Sequence, residues 1–230
     1  MLAVWDGIGS LWAARGLRIL GEDNEEMARF TGSRLRKMRA LGCDLPGLSR
    51  KSIERRPYPP GQHGQRRRGR ISDYGRQLIE KQKLRFNYGI GERQFRRLIK
   101  ESKASKVATG DKLLELLERR LDNVVFRSGF APTIPAARQL LKHGHFQVNG
   151  RRVDIPSYRV RAGETITVRE RSKELVFIKE SLGRPSLSLP SWLEFDASTA
   201  TARVAAIPDA SSVPLDVEVQ LVVEYYAKRI

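Results

Sequence analysis

The residues most able to do chemistry in this chain are arginines, and they come in groups. Arg55, Arg56, Arg66, Arg67, Arg68 and Arg70 surround Tyr58, Gln62 and His63. A guanidinium fork matches the geometry of a phosphate, and rings set between such forks stack on exposed bases. The combination points to nucleic acid rather than to bond-making chemistry. His143 and His145 flank a single glycine, but without neighbouring carboxylates or thiolates they make an incomplete metal shell. Cys43 is the sole cysteine, which excludes an intramolecular disulfide framework and any multi-cysteine zinc cluster. It forms no recognisable nucleophile and base pair with His63 or the serines. Tyr88-Gly89-Ile90-Gly91 neither follows a strand nor extends into a dinucleotide fingerprint. No catalytic residue, cofactor, metal site or small-molecule substrate is expected.

Composition agrees with that reading. The 230 residues include 43 Lys plus Arg against 26 Asp plus Glu, a formal charge of +17. Residues 27 to 109 carry 23 basic and 6 acidic side chains, so their excess equals the net charge of the whole chain. A surface of that kind displaces counterions from a phosphate backbone. Hydrophobic residues make up 40%, enough to bury a core, and no apolar run approaches the roughly 18 residues of a membrane span. Residues 1 to 26 differ in character, with 2 basic and 5 acidic side chains. They lack the pattern of a signal or transit peptide and read as an upstream start or a lineage-specific extension before Met27.

Several elements must position these cations. Glycines and prolines are dense from Phe30 to Gly69, which leaves a short helix near Arg34 to Leu41, bearing Arg34, Arg36 and Arg39, and then loop around Lys51. Two basic amphipathic helices follow. Tyr74 to Phe86 carries Lys81, Lys83 and Arg85; Glu92 to Lys103 places Phe95, Leu98 and Ile99 on one face, with Arg93, Arg97 and Lys100 on another and Arg96 alongside. After Gly110, Asp111 is expected to cap one helix with apolar positions Leu113, Leu117, Leu121 and Val124. A second helix starts at Thr133 as N-cap with Pro135 in its first turn, buries Ala137, Leu140 and Leu141, and ends at Gly144. Its outer face presents Arg138, Gln139 and Lys142.

Asn149-Gly150 then forms the tight turn of a hairpin between His145–Val148 and Arg151–Ile155, with Phe146, Val148, Val153 and Ile155 inward. Val160 alternates with Arg159 and Arg161, and Thr165 to Arg169 is a further strand. Beyond it the patterns predict a helix over Lys173 to Leu182 and strands over Trp192–Asp196, Thr201–Ile207 and Leu215–Val223. The fold class is α+β. It comprises an extension (1–26), a helical, arginine-rich region (27–116), a helix-helix-hairpin unit (117–180), which a family resemblance in its residues implies is an RNA-binding module of αL-like type, and a β-rich C-terminal segment (181–230) expected to pack on the N-terminal region.

Five stretches carry a family resemblance: Met27 to Arg36, LGCDLPGL from Leu41, RRPYPPGQHG from Arg55, YGIGERQFRR from Tyr88, and LERRLDNVVFRSGFAPTIPAARQLLKHGHFQVNGRRVDIPSYRVRAGETITV from Leu117. With these the chain resembles the family of small ribosomal subunit protein number four, in its bacterial and organellar form. Modules like the last stretch also occur in pseudouridine synthases, tyrosyl-tRNA synthetases and a small heat-shock protein, whereas the upstream stretches belong to the ribosomal family. The resemblance implies binding to the 5′ domain of small-subunit ribosomal RNA (rRNA) early in assembly. It also implies a place beside small-subunit protein five where messenger RNA (mRNA) enters, with an effect on decoding accuracy, in the ribosome of a bacterial cytoplasm or an organelle. Some members repress their own mRNA. Many relatives carry a zinc-binding cysteine cluster; Cys43 alone places this chain with the zinc-free branch. In the module the implied RNA-facing group is Thr133, Arg138, Gln139, Lys142, His143, His145, Asn149, Arg151, Arg152, Ser157 and Arg159, converging on one side. The other reading, an RNA-modifying enzyme that borrows the module, would need a catalytic domain for which the residues after the module are too few.

Overall fold

A computed structural model describes residues 32–65 and 71–227. The segment before Met27 and the group Arg66, Arg67, Arg68 and Arg70 lie outside the described residues.

Helix α1 spans Arg34–Leu41 and stops at Gly42, whose φ of 75° suits a residue without a Cβ. Met38 and Leu41 join Leu45 and Leu48 in a small core of their own, so the loop region is anchored before Lys51. Helix α2 (Asp73–Asn87) is capped by Ser72, whose side chain accepts from the Gly75 N–H at 3.2 Å. Helix α3 (Glu92–Lys103) buries Phe95, Leu98 and Ile99, and these join one large core that runs through the rest of the molecule.

The stripe Leu113, Leu117, Leu121 and Val124 is buried, but it is not one helix. Helix α4 (Thr109–Glu118) and helix α5 (Leu121–Arg127) are separated at Arg119–Arg120, and Ala108 rather than Asp111 is the N-cap. The break is stabilised from outside. The Leu121 and Asp122 N–H groups donate to the Tyr158 and Pro156 carbonyls at 2.8 and 3.1 Å, and Arg120 bridges Arg159. A tertiary partner thus takes the donors that a continuous helix would have used, which periodicity alone does not reveal.

Helix α6 (Ile134–Lys142) starts at Thr133, whose hydroxyl accepts from the Ala136 N–H at 3.4 Å, and it gives way at Gly144 with φ 75°. Strand β1 (Phe146–Val148) turns through Asn149 and Gly150, at φ 50° and 77°, into β2 (Arg151–Arg152). These positive angles are those of the expected type I′ turn. The second strand is shorter than expected, and Ile155 is 57% exposed rather than inward.

Strand β3 (Thr165–Val168) buries Ile166 and Val168. The helix expected over Lys173 to Leu182 is α8 (Val176–Gly183), which starts later because Leu175 is extended, and a short helix α7 (Glu170–Lys173) precedes it. Strands β4 (Leu193–Asp196) and β5 (Thr201–Val204) then pair with each other, and β5 pairs with β3. The result is one antiparallel sheet in the order β2-β1-β3-β5-β4. Hence these strands extend the module's own sheet.

The last expected strand is instead helix α9 (Val219–Ala227). Its β-branched residues suggest a strand, yet Val222, Tyr225 and Tyr226 recur at helical spacing and are the side chains buried. Tyr225 stacks on Tyr74 with centroids 5.9 Å apart and Tyr226 tilts against Phe95 at 5.7 Å. This helix, not a sheet, is what docks the C-terminal part on α2 and α4. The architecture is α+β, with one large core that runs from α2 to α9 beside the small core at α1.

Candidate RNA interface

The first group of cations lies on the outer face of α3. Arg93, Arg97 and Lys100 are exposed, and none of these side chains hydrogen-bonds or ion-pairs with another described residue. Arg96, half-exposed, approaches Glu92 at 3.7 Å one turn away. The second group is carried by α6 and the hairpin. Gln139, Lys142 and His143 are exposed along the helix and at its end, Arg151 and Arg152 at the hairpin, and Ser157 just after it. The Asn149 Oδ1 accepts from the Thr165 N–H at 2.9 Å, which ties the turn to β3. Arg152 lies against Gly144, where any Cβ would come within 2.5 Å of its Nε. The third group is the loop, where Lys51, Arg55, Arg56, Gln62 and His63 are exposed and Arg36 is exposed on α1.

Other residues of the expected RNA-facing set point elsewhere, and each has a physical reason. Arg39 donates to the Tyr58 and Pro59 carbonyls at 3.0 and 3.3 Å and sits over the Tyr58 ring, so it pins the loop to α1. Arg34 reaches the Leu48 carbonyl at 3.3 Å. Lys81 is buried, 3.1 Å from Glu92 and 4.8 Å from the Tyr225 ring centroid. Arg85 donates to the Ile90 carbonyl at 3.3 Å, and Lys83 pairs with Glu80 at 2.7 Å. Thr133 is buried as a cap. His145 Nδ1 lies 2.9 Å from Ser172 Oγ, and burial, His143 and Arg169 hold its imidazole below the usual range. Arg159 makes a two-pronged ion pair with Glu101 on α3.

Arg138 departs furthest from expectation. Its Nε donates to Asp122 Oδ2 at 2.6 Å and its Nη2 to the Tyr88 carbonyl at 2.7 Å, while Nη1 donates to the Gly89 carbonyl. Asp122 is buried and also receives Arg120 at 3.1 and 2.9 Å. Beside it Glu118 accepts from the Tyr88 hydroxyl and from Asn123 Nδ2 at 3.0 Å, with Arg127 3.7 Å away. Burial pushes the Glu118 carboxyl up, against the pull of Arg127 and these hydrogen bonds, and burial beside Glu118 pushes the Tyr88 phenol well up. Such a junction of charges holds elements together by geometry.

One polar groove of mixed charge is not marked by any single stretch of the sequence. A groove of about 480 Å³ on the outer face of the sheet is lined by Gln147, Thr167, Val168, Arg169, Glu170, Arg171, Lys173, Thr199 and Thr201, and Glu170 pairs with Lys173 there at 2.7 Å. Its residues come from three separated segments, so no local cluster marks it. The alternation Thr165 to Arg169 did contain the signal, since Thr167 and Arg169 share the face opposite Ile166 and Val168. Among the described residues no three His, Cys, Asp or Glu side chains are gathered as for a metal ion, and no helix is long and apolar enough to cross a membrane.

Comparison with known proteins decides between the family readings. The model for the ribosomal protein S4/S9 N-terminal domain matches residues 29–118, and that for the S4 domain matches residues 119–166. The chain belongs to the ribosomal protein S4 family. It is 57% identical over 205 residues to small ribosomal subunit protein uS4 of Methylobacillus flagellatus, covering 89% of this chain and 100% of that protein. To uS4B of Nitrosomonas europaea it is 55% identical over 204 residues, and to uS4 of Thermosynechococcus vestitus 54% over 205; these cover 88% and 89% of this chain and all of each relative. The two matched units meet between Glu118 and Arg119, at the break between α4 and α5.

Proposed function

We propose that the chain binds the 5′ domain of small-subunit rRNA early in assembly and later lies beside small-subunit protein five where mRNA enters, with an influence on decoding accuracy. Family membership carries the coarser statement: this is an RNA-binding structural constituent of the small ribosomal subunit, not an enzyme, and it works in the ribosome. The observation that supports the RNA contact is the pair of exposed cationic surfaces, on α3 and on α6 with the hairpin, each on a rigid element. Guanidinium forks and amides so placed meet phosphates and 2′-hydroxyls and read RNA by shape. The exposed loop cations add counterion release.

Ultraviolet crosslinking in cells, with sequencing of the attached RNA and mapping of the attached peptides, tests the proposal. Crosslinks in the 5′ domain from both the Arg93–Lys100 and Gln139–Ser157 segments are expected. Crosslinks confined to transfer RNA or to a single mRNA would overturn the target, and absence of crosslinks to protein five in assembled subunits would remove that partner.

A further inference from the structure

Arg138 has side-chain chemistry suited to RNA and a geometry that commits it elsewhere. It sits on α6 between Ala137, which is buried, and Gln139, which is exposed, and its guanidinium turns inward onto three acceptors. Two of these are the carbonyls of Tyr88 and Gly89, the turn that leaves α2. Gly91, two residues on, is the N-cap of α3. The peptide units held by Arg138 therefore lie directly upstream of the helix that carries Arg93, Arg97 and Lys100. Gly89 has φ 58°, and a Cβ there would stand 3.0 Å from Arg138 Nη1, so the guanidinium lies close over a residue that has no side chain to obstruct it. The third acceptor, Asp122, is buried and fixes the fork from the α5 side.

We propose that Arg138 is a positioning residue for RNA binding: it sets the direction of α3 relative to α6 and the hairpin, so that both cationic surfaces meet one RNA as a single rigid face. The inference rests on the RNA-binding reading above and adds a coupling between its two surfaces. Rigid presentation matters because ordering two hinged surfaces at the moment of binding would oppose association. Core packing of Phe95, Leu98 and Ile99 seats α3 without fixing polar geometry, and the ion pair from Arg159 to Glu101 is exposed to water and so is a weak constraint. Lysine cannot replace the fork, since a single ammonium does not reproduce the planar, diverging N–H groups that three separate acceptors require.

The test is a binding cycle with the full chain and a 5′-domain rRNA fragment, read as affinity against salt concentration. Its corners are the unaltered protein, the α3 variant Arg93→Gln/Arg97→Gln/Lys100→Gln, Arg138→Lys, and the combination. The α3 variant should weaken the unaltered protein about tenfold or more and lower the salt slope by about three. In the Arg138→Lys background the same three changes should cost no more than about threefold, because the α3 surface is already out of register. Equal losses in both backgrounds would overturn the proposal, as would Arg138→Lys binding like the unaltered protein, which a residue contacting phosphate directly with its charge would do. If Arg138→Lys loses its fold by circular dichroism, Gly89→Ala makes the same test, since it crowds the fork without removing charge. Should the unaltered protein prefer another rRNA domain, the target reading falls while the cycle, run on that RNA, still reads the coupling.

Discussion

Two sets of cations in this molecule are chemically alike and do opposite work. Arg120, Arg127, Arg138 and Lys81 lie inside, each within 4 Å of a carboxylate; Arg93, Arg97, Lys142 and Arg151 lie outside with no such neighbour among the described residues. What separates them is the position of Glu92, Glu118 and Asp122, three buried or half-buried acids spread along the helices. The cations enclosed with these acids are drawn into the structure, Arg96 stays half-exposed although 3.7 Å from Glu92, and the four outside remain available to phosphate. Charge counted along a chain therefore measures the supply of binding groups and overstates it by those the protein uses for itself.

The contrast is broken most strongly at the junction. Asp122→Ala leaves Arg120 and Arg138 without their buried carboxylate and should cost about 3 to 5 kcal/mol in chemical denaturation. A loss no larger than that of a surface change would mean that water satisfies these guanidiniums. At the opposite extreme, Arg97→Ala and Arg151→Ala should leave stability within about 0.5 kcal/mol. Each should weaken RNA binding by about 1.5 to 3 kcal/mol and lower the salt slope by about one, as measured by filter binding. Thr133→Ala sharpens the comparison, because Thr133 is an expected RNA contact found as a helix cap: the loss should be about 1 kcal/mol of stability, with affinity little changed once the protein is folded.

The smallest effect is on acid stability. Burial alone would raise the Glu92 carboxyl, but the hydroxyl of Tyr226 and the charges of Lys81 and Arg85 outweigh it and hold it below the usual carboxylate range. A carboxyl lowered by folding stabilises above its unfolded value, and that contribution is lost as pH falls through the folded value. Melting temperature should thus drop on acidification, and Glu92→Gln should flatten that limb. Glu118, held high by burial, works with the opposite sign and blunts the drop.

Much of this architecture was legible in local patterns. The helix over Glu92–Lys103, the Thr133 cap and the Asn149-Gly150 turn are dictated by residues within a few positions of one another. What was not legible depends on distant partners. The break at Arg119–Arg120 needs the carbonyls of Pro156 and Tyr158, and α9 is a helix because Tyr225 and Tyr226 find the aromatic side chains of Tyr74 and Phe95. The binding surface follows the same division. Outward-facing cations could be read from the period of α3, but whether Arg138 met water or a carboxylate depended on Asp122 and on the turn at Gly89.

Helix α9 also sets a timetable for synthesis. Gln77 bonds Glu224 across 147 positions, and Glu92 meets the Tyr226 hydroxyl across 134. Residues that complete the core around α2 and α3 are made 134 and 147 positions after their partners in those helices, so the helices cannot reach their final state until the chain has grown through α9. Contacts of such separation slow folding and leave apolar surface uncovered in the meantime. The arginine-bearing face of α3 therefore takes its final support only once α9 has been made, rather than as α3 itself emerges.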